Sequence, residues 1–187
     1  MENNTTLTRN IVLNSIWSAV PWHRFGQSAA ESAHSKEAPY VILIRVKATV
    51  RFVVEDLFLG ITPSGHALTL DTNTDRSSAP SPAEILLVAL GSCTASDVAG
   101  ILAKKRQQIT SYVVEVSGER RDEYPRRFTW MKVHHILTGR SISEKAVAHA
   151  IELSDTKYCS VAATLRPTVE IQSTFEIIEE PTNEAPE

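Results

Sequence analysis

The stretch Ser81-Pro82-Ala83-Glu84-Ile85-Leu86-Leu87-Val88-Ala89-Leu90-Gly91-Ser92-Cys93-Thr94-Ala95-Ser96-Asp97-Val98 decides the fold. A serine, a proline directly after it and an acid three residues past the serine form a helix start: an N-cap hydroxyl, a residue that needs no amide hydrogen at the first position, and a carboxylate that reaches back. Ile85, Leu86, Leu87, Val88, Ala89, Leu90, Val98, Ile101 and Leu102 then cover nearly the whole circumference, and Lys104-Lys105-Arg106 ends the helix with charges that suit its negative pole. A helix apolar on nearly every side is expected to be buried at the centre of the fold.

Upstream, Val41-Ile42-Leu43-Ile44 leads into Val46, Ala48 and Val50 with Arg45, Lys47, Thr49 and Arg51 interleaved, the pattern of a strand with one wet face. Phe52 to Thr62 and Ala67 to Leu70 continue as strand, joined by the turn residues Pro63-Ser64-Gly65-His66, and Asp71 to Ser81 reads as a loop. Downstream, Ser111 to Arg121 and Arg127 to Thr138 form a hairpin about Asp122-Glu123-Tyr124-Pro125. Ser141-Ile142-Ser143-Glu144 reads as a capping box, and Ala146, Val147, Ala150, Ile151 and Ser154 recur at helical spacing up to Cys159. Thr168 to Ile178 is the last strand. The fold class is α+β: two helices on antiparallel sheets, in one domain over residues 40–179. Residues 1–39 are polar enough to be a flexible extension and 180–187 a disordered tail. Ile11 to Trp22 is too broken by Asn14, Ser15 and Ser18 for an export signal.

The formal net charge of -3 and pI near 6.1 supply no field that gathers phosphate backbones or anionic lipid, so neither nucleic acid nor a membrane is an expected partner. No run approaches the roughly 20 apolar residues of a membrane span. The chain has 2 cysteines, too few for a disulfide scaffold and too few for structural zinc unless histidines complete the site; the cytoplasm is the expected compartment. His134 and His135 point to opposite faces of a strand, so no metal and no cofactor is assigned. Lys104-Lys105-Arg106 is a solvated helix end. Arg120-Arg121 and Arg126-Arg127 either hold an anion or, more commonly, pair with Glu119, Asp122 and Glu123.

Cys93 lies where small polar residues interrupt an apolar helix. Taken alone it reads as a core thiol, since free cysteine is among the most buried residue types. Cys159, in similar surroundings at the end of the second helix, changes that reading, because two helices on one sheet can bring such positions together. A thiol that attacks peroxide must be a thiolate, which calls for a nearby cation, arginine being suitable. The product is a sulfenic acid, and a second thiol condenses with it to a disulfide. Glu84 is sufficiently explained as a capping acid. Nine residues at about 100° each put it on the opposite side of a straight helix from Cys93, about 13.5 Å along the axis, so it serves a thiol only if Gly91 bends the helix or a second subunit supplies the site.

Ala79 to Leu87 running into Ala89 to Val98 resembles the central-helix motif of the OsmC and organic-hydroperoxide-resistance (Ohr) superfamily. Glu119-Arg120-Arg121, Pro125-Arg126-Arg127-Phe128-Thr129 and Lys157-Tyr158-Cys159-Ser160-Val161 resemble later segments of its OsmC-like branch, and the likeness runs from about Arg45 to Ile178. The resemblance implies an intertwined homodimer with two central helices enclosed by antiparallel sheets, reducing organic hydroperoxides at interface sites. It implies Cys93 as the peroxidatic residue and Cys159 as the resolving one, recycled by a dihydrolipoyl group or another dithiol. It matches Glu84 to the glutamate that bridges to an arginine from the preceding loop; Arg76 is the arginine in that loop, with Arg51, Arg120 and Arg121 as other sources of the cation. Two rivals to the peroxidase remain at this level: a non-catalytic dimer whose cavity binds an apolar small molecule, and a redox sensor.

Overall fold

A computed structural model describes residues 46–73 and 75–180. The expectations for residues 1–45 and 181–187 lie outside them. Strands β1 (Thr49–Val54), β2 (Leu57–Ile61) and β3 (Ala67–Asp71) form an antiparallel meander, followed by helix α1 (Pro82–Lys104). Strands β4 (Gln108–Arg120) and β5 (Phe128–Arg140) pair antiparallel. Helix α2 (Glu144–Leu153), a π-helical turn over Ser154–Tyr158 and the short helix α3 (Ser160–Leu165) lead to β6 (Glu170–Glu179).

Helix α1 begins as the sequence dictates. Ser81 is the N-cap, its hydroxyl accepts from the Glu84 N–H, the Glu84 carboxylate accepts from the Ser81 N–H at 2.6 Å, and Pro82 is the first helical residue. One face of β5 is buried at every second residue, with Met131, Val133, His135 and Leu137 at 1% exposure or less, and α1 and α2 pack over the β4-β5-β6 sheet. The core falls into two clusters joined along α1. Leu90 packs with Phe128, Met131, Cys159, Ala162 and Val169; Val98 and Leu102 pack with Leu137, Val147, Ala150 and Ile151. The chemistry lies in the first cluster.

Several elements differ from the sequence expectations. Phe52 to Thr62 is not one strand: Glu55, at a φ of 51°, turns the chain back on itself between β1 and β2. All six residues of β1 are exposed, so it has no dry face among the described residues. Helix α1 is less enclosed than its composition suggests, with Leu90, Gly91, Thr94, Val98 and Leu102 buried and Val88 63% exposed. By length and composition it also meets the requirement for a membrane span, since its alanines, glycines and serines interrupt the apolar run without making it polar. The cap of α2 is Ser143, whose hydroxyl accepts from the Ala146 N–H. Ser141 is instead a left-handed turn residue whose N–H donates to Glu179. Strand β6 runs parallel to β5, because the helical connection carries the chain back across the sheet before it pairs. Glu180, assigned to the tail, is tied down by its N–H to the Gly139 carbonyl and by Arg140.

Candidate active site

Cys93 sits midway along α1 and is half-buried; Cys159 is 3% exposed and caps α3, its sulfur accepting from the Ala162 N–H at 3.3 Å. The π turn before it takes one more residue per hydrogen bond than an α-helix, and the chain leaves that turn at Cys159 in extended conformation. Both thiols are free, and their sulfurs lie within 4.8 Å of each other. Two positions 66 residues apart in sequence are thus brought together by the packing of α3 and the π turn on α1.

The two thiols are not equivalent. Burial pushes Cys93 up, but the Val161 N–H, the Cys159 thiol and the Ser160 hydroxyl, 4.0 Å away, stabilise its thiolate and bring it below the ordinary thiol value; the Asp97 charge opposes them. Burial dominates at Cys159 and raises it to about 11, with the neighbouring Cys93 adding to the rise. One sulfur therefore favours the thiolate and the other stays a thiol. The donors at Cys93 belong to protein N–H, S–H and O–H groups; among the described residues no arginine or lysine contributes.

The other expected residues lie elsewhere in the chain. Arg76 clasps Asp71 through Nε and an Nη, at 3.1 Å each, and meets Glu55 through its other Nη. Asp71 is buried and held far below the usual carboxylate range, first by Arg76 and then by the Ser78 hydroxyl. Glu84 is a capping acid lowered by its bonds to Ser81, with no ion pair to Arg76 among the described residues. Arg120, Arg121 and Arg126 bond to backbone carbonyls around the β4–β5 turn, that of Asp122 included, and Arg127 to those of Phe128 and Thr168, rather than to the carboxylates of Glu119, Asp122 or Glu123. His134 and His135 do face opposite ways. His135 is buried against the Tyr112 hydroxyl at 2.6 Å, while His134 meets Thr174 at 2.8 Å.

Sequence reasoning gave no role to the polar groups behind the thiols. The Asp97 carboxylate lies within 4.8 Å of both sulfurs and accepts from the Ser154 hydroxyl at 3.0 Å; Ser154 in turn shares a buried 2.9 Å hydrogen bond with Thr94. The signal was present in the spacing: Asp97 is four residues after Cys93, one turn along the same face of α1.

A family model described as OsmC-like protein matches residues 74–174. The chain belongs to the OsmC-like family. It is 44% identical over 133 residues to protein YhfA of Escherichia coli strain K12, covering 71% of this chain and 98% of YhfA. Among solved structures, a hypothetical protein from Aquifex aeolicus VF5 is 29% identical with a TM-score of 0.67, over 74% of this chain and 100% of that one. The organic hydroperoxide resistance protein OsmC of Legionella pneumophila shares the fold at 13% identity and a TM-score of 0.56, over 73% of this chain and 99% of that one. The OsmC-like match begins before α1 and ends inside β6, so it contains both cysteines and Asp97.

Proposed function

We propose that this OsmC-like protein is a thiol-dependent peroxidase that reduces organic hydroperoxides, acting as a homodimer in the cytoplasm. The observation that carries the reading is the pair of unequal thiols with sulfurs within 4.8 Å. The Cys93 thiolate attacks the outer oxygen of ROOH; the O–O bond breaks, and RO⁻ takes a proton and leaves as ROH, giving Cys93–SOH. The Cys159 thiol then attacks that sulfur, and hydroxide leaves as water with the thiol proton, closing a Cys93–Cys159 disulfide. An external dithiol reduces the disulfide through a mixed disulfide and is itself oxidised.

The sulfurs have at most about 3 Å to close to reach a bond of about 2.05 Å, a range that side-chain rotation covers. An apolar groove of about 320 Å³, lined by Leu87, Val88, Gly91, Val114 and Val116, runs along the face of α1 turned away from Cys93, so it belongs with the uncovered apolar surface and not with the thiol. The hydroperoxide resistance of the Legionella relative belongs to that protein and agrees with this reading. The dimer rests on apolar residues with no cover among the described residues: Val50, Phe52 and Val54 on β1, Val88 on α1 and Val113 on β4, all 49–65% exposed. Glu84 and Arg76 act, in this reading, only where a second subunit brings them to a thiol.

The test is turnover. Purified protein is given cumene hydroperoxide or hydrogen peroxide with dihydrolipoamide or dithiothreitol. Multiple turnovers of the organic peroxide, abolished in Cys93→Ser, are expected; no peroxide consumption with either dithiol refutes the enzyme.

A further inference from the structure

We propose that the reduced site also binds a thiophilic divalent cation of the zinc class, through Cys93 Sγ, Cys159 Sγ and a carboxylate oxygen of Asp97. The proposal goes beyond the peroxidase reading and does not depend on it.

The three donor atoms lie within 4.8 Å of one another. A tetrahedral zinc, with Zn–S near 2.3 Å and Zn–O near 2.1 Å, sets its sulfurs about 3.8 Å apart and each sulfur about 3.6 Å from the oxygen. The cluster closes to that spacing by about 1 Å, which three side-chain rotations supply. Thiolate and carboxylate donors suit zinc and cadmium rather than magnesium or calcium, which take oxygen ligands.

Charge gives an independent reason. Two groups able to become thiolates stand beside a carboxylate, and no basic side chain among the described residues contributes to either sulfur. Asp97 enters no ion pair among those residues, and its one hydrogen bond is from Ser154. For a peroxidatic thiol this carboxylate is a disadvantage, since it disfavours the thiolate. For a dication it is a ligand.

The site also has the supporting layer that metal centres use. Buried Ser154 donates to Asp97 Oδ2 and is itself held by Thr94, which fixes the carboxylate that lies within reach of the sulfurs. Asp97 further lines an open cavity of about 480 Å³ with Gly100, Lys104, Lys105, Leu153 and Tyr158, so this ligand residue is reached from solvent. Three protein ligands leave a fourth position for water or an external thiolate. Binding converts two S–H groups and M²⁺ into two M–S bonds and up to two released protons, and it ties up both sulfurs that disulfide formation would use.

The test is an anaerobic titration of the full reduced chain with Cd²⁺, read by near-ultraviolet sulfur-to-metal charge transfer, and with Zn²⁺ against a chromophoric chelator. One equivalent is expected to saturate the band. The disulfide form and the Cys93→Ser/Cys159→Ser chain should show none. Asp97→Asn should keep the band but bind more than about tenfold more weakly, and Ser154→Ala should lose about tenfold. Circular dichroism checks that both variants fold. Absence of the band at one equivalent, or Zn²⁺ affinity unchanged in the double serine chain or in Asp97→Asn, overturns the proposal. Peroxide consumption by the metal-free sample is followed alongside: reaction with peroxide but no metal binding sinks this inference alone, and the reverse sinks only the peroxidase.

Discussion

Acid should destabilise this fold through one buried histidine before the Asp71 carboxylate protonates. His135 is fully buried on β5, its Nδ1 against the Tyr112 hydroxyl and its Nε2 without a partner among the described residues. Burial lowers its pKa to about 4 from 6.5, with a small further push from His134 and an opposing pull from Asp155 in the π turn. In the window between those values the unfolded chain binds a proton that the native chain does not, so stability rises with pH there and falls as pH drops. The loss from this group between pH 7.5 and 4 is about 3 kcal/mol, a large share of the 5–15 kcal/mol typical of a domain. The contribution of Asp71 runs over a different range: its native pKa is depressed, so its stabilisation is whole above the unfolded value of 3.8 and is lost only below it. Urea unfolding from pH 7.5 to 4.5, for the full chain and for His135→Phe, separates the two. The wild type should lose stability steadily below pH 6.5, and His135→Phe should be markedly flatter. Equal slopes in both chains would refute the assignment to His135.

Arg76→Ala should lower the urea midpoint at neutral pH by leaving the Asp71 carboxylate unpaired, and the difference from wild type should shrink in strong acid as Asp71 protonates. Gly118→Ala should destabilise by about 1–3 kcal/mol, read as a lower melting temperature, because the new methyl would lie 2.9 Å from Phe128 Cδ1 and 3.2 Å from Met131 Cγ in the thiol-side core. On the proposed homodimer, wild type should scatter light as a dimer and Phe52→Asp as a monomer with the helix content of its circular dichroism spectrum intact; a monomeric wild type would refute the dimer, and a dimeric variant would remove β1 from the interface.

Sequence carried the fold furthest where a residue acts on its own neighbours. Ser81, Pro82 and Glu84 announce α1 because a cap is satisfied within four residues, and Asp122 to Pro125 turn the β4–β5 hairpin for the same reason. It failed where two local signals competed: Ser141 and Ser143 are both plausible caps, and the choice is made by Ile142, which has to reach the core, and by Glu179, which takes the Ser141 N–H. It also failed where pairing is long-range, since nothing in Glu170 to Glu179 states that its neighbour β5 runs parallel. At the site, the residue types at Cys93 and Cys159 were informative but the approach of their sulfurs to within 4.8 Å was not readable, because it depends on the π turn and α3 packing on α1. The expected cation is not found among the described residues of the one chain: N–H, S–H and O–H donors stand at Cys93, and Arg76 is taken by Asp71.

The central claim is that Cys93 and Cys159 form a working redox pair, and a single-turnover oxidation tests it most directly. Reduced, metal-free protein is mixed with one equivalent of cumene hydroperoxide, and free thiols and intact mass are followed for wild type, Cys93→Ser and Cys159→Ser. Rapid loss of both thiols with an intramolecular disulfide is expected in wild type, a trapped sulfenic acid in Cys159→Ser and no reaction in Cys93→Ser. Two thiols that survive excess peroxide in the wild type would contradict it.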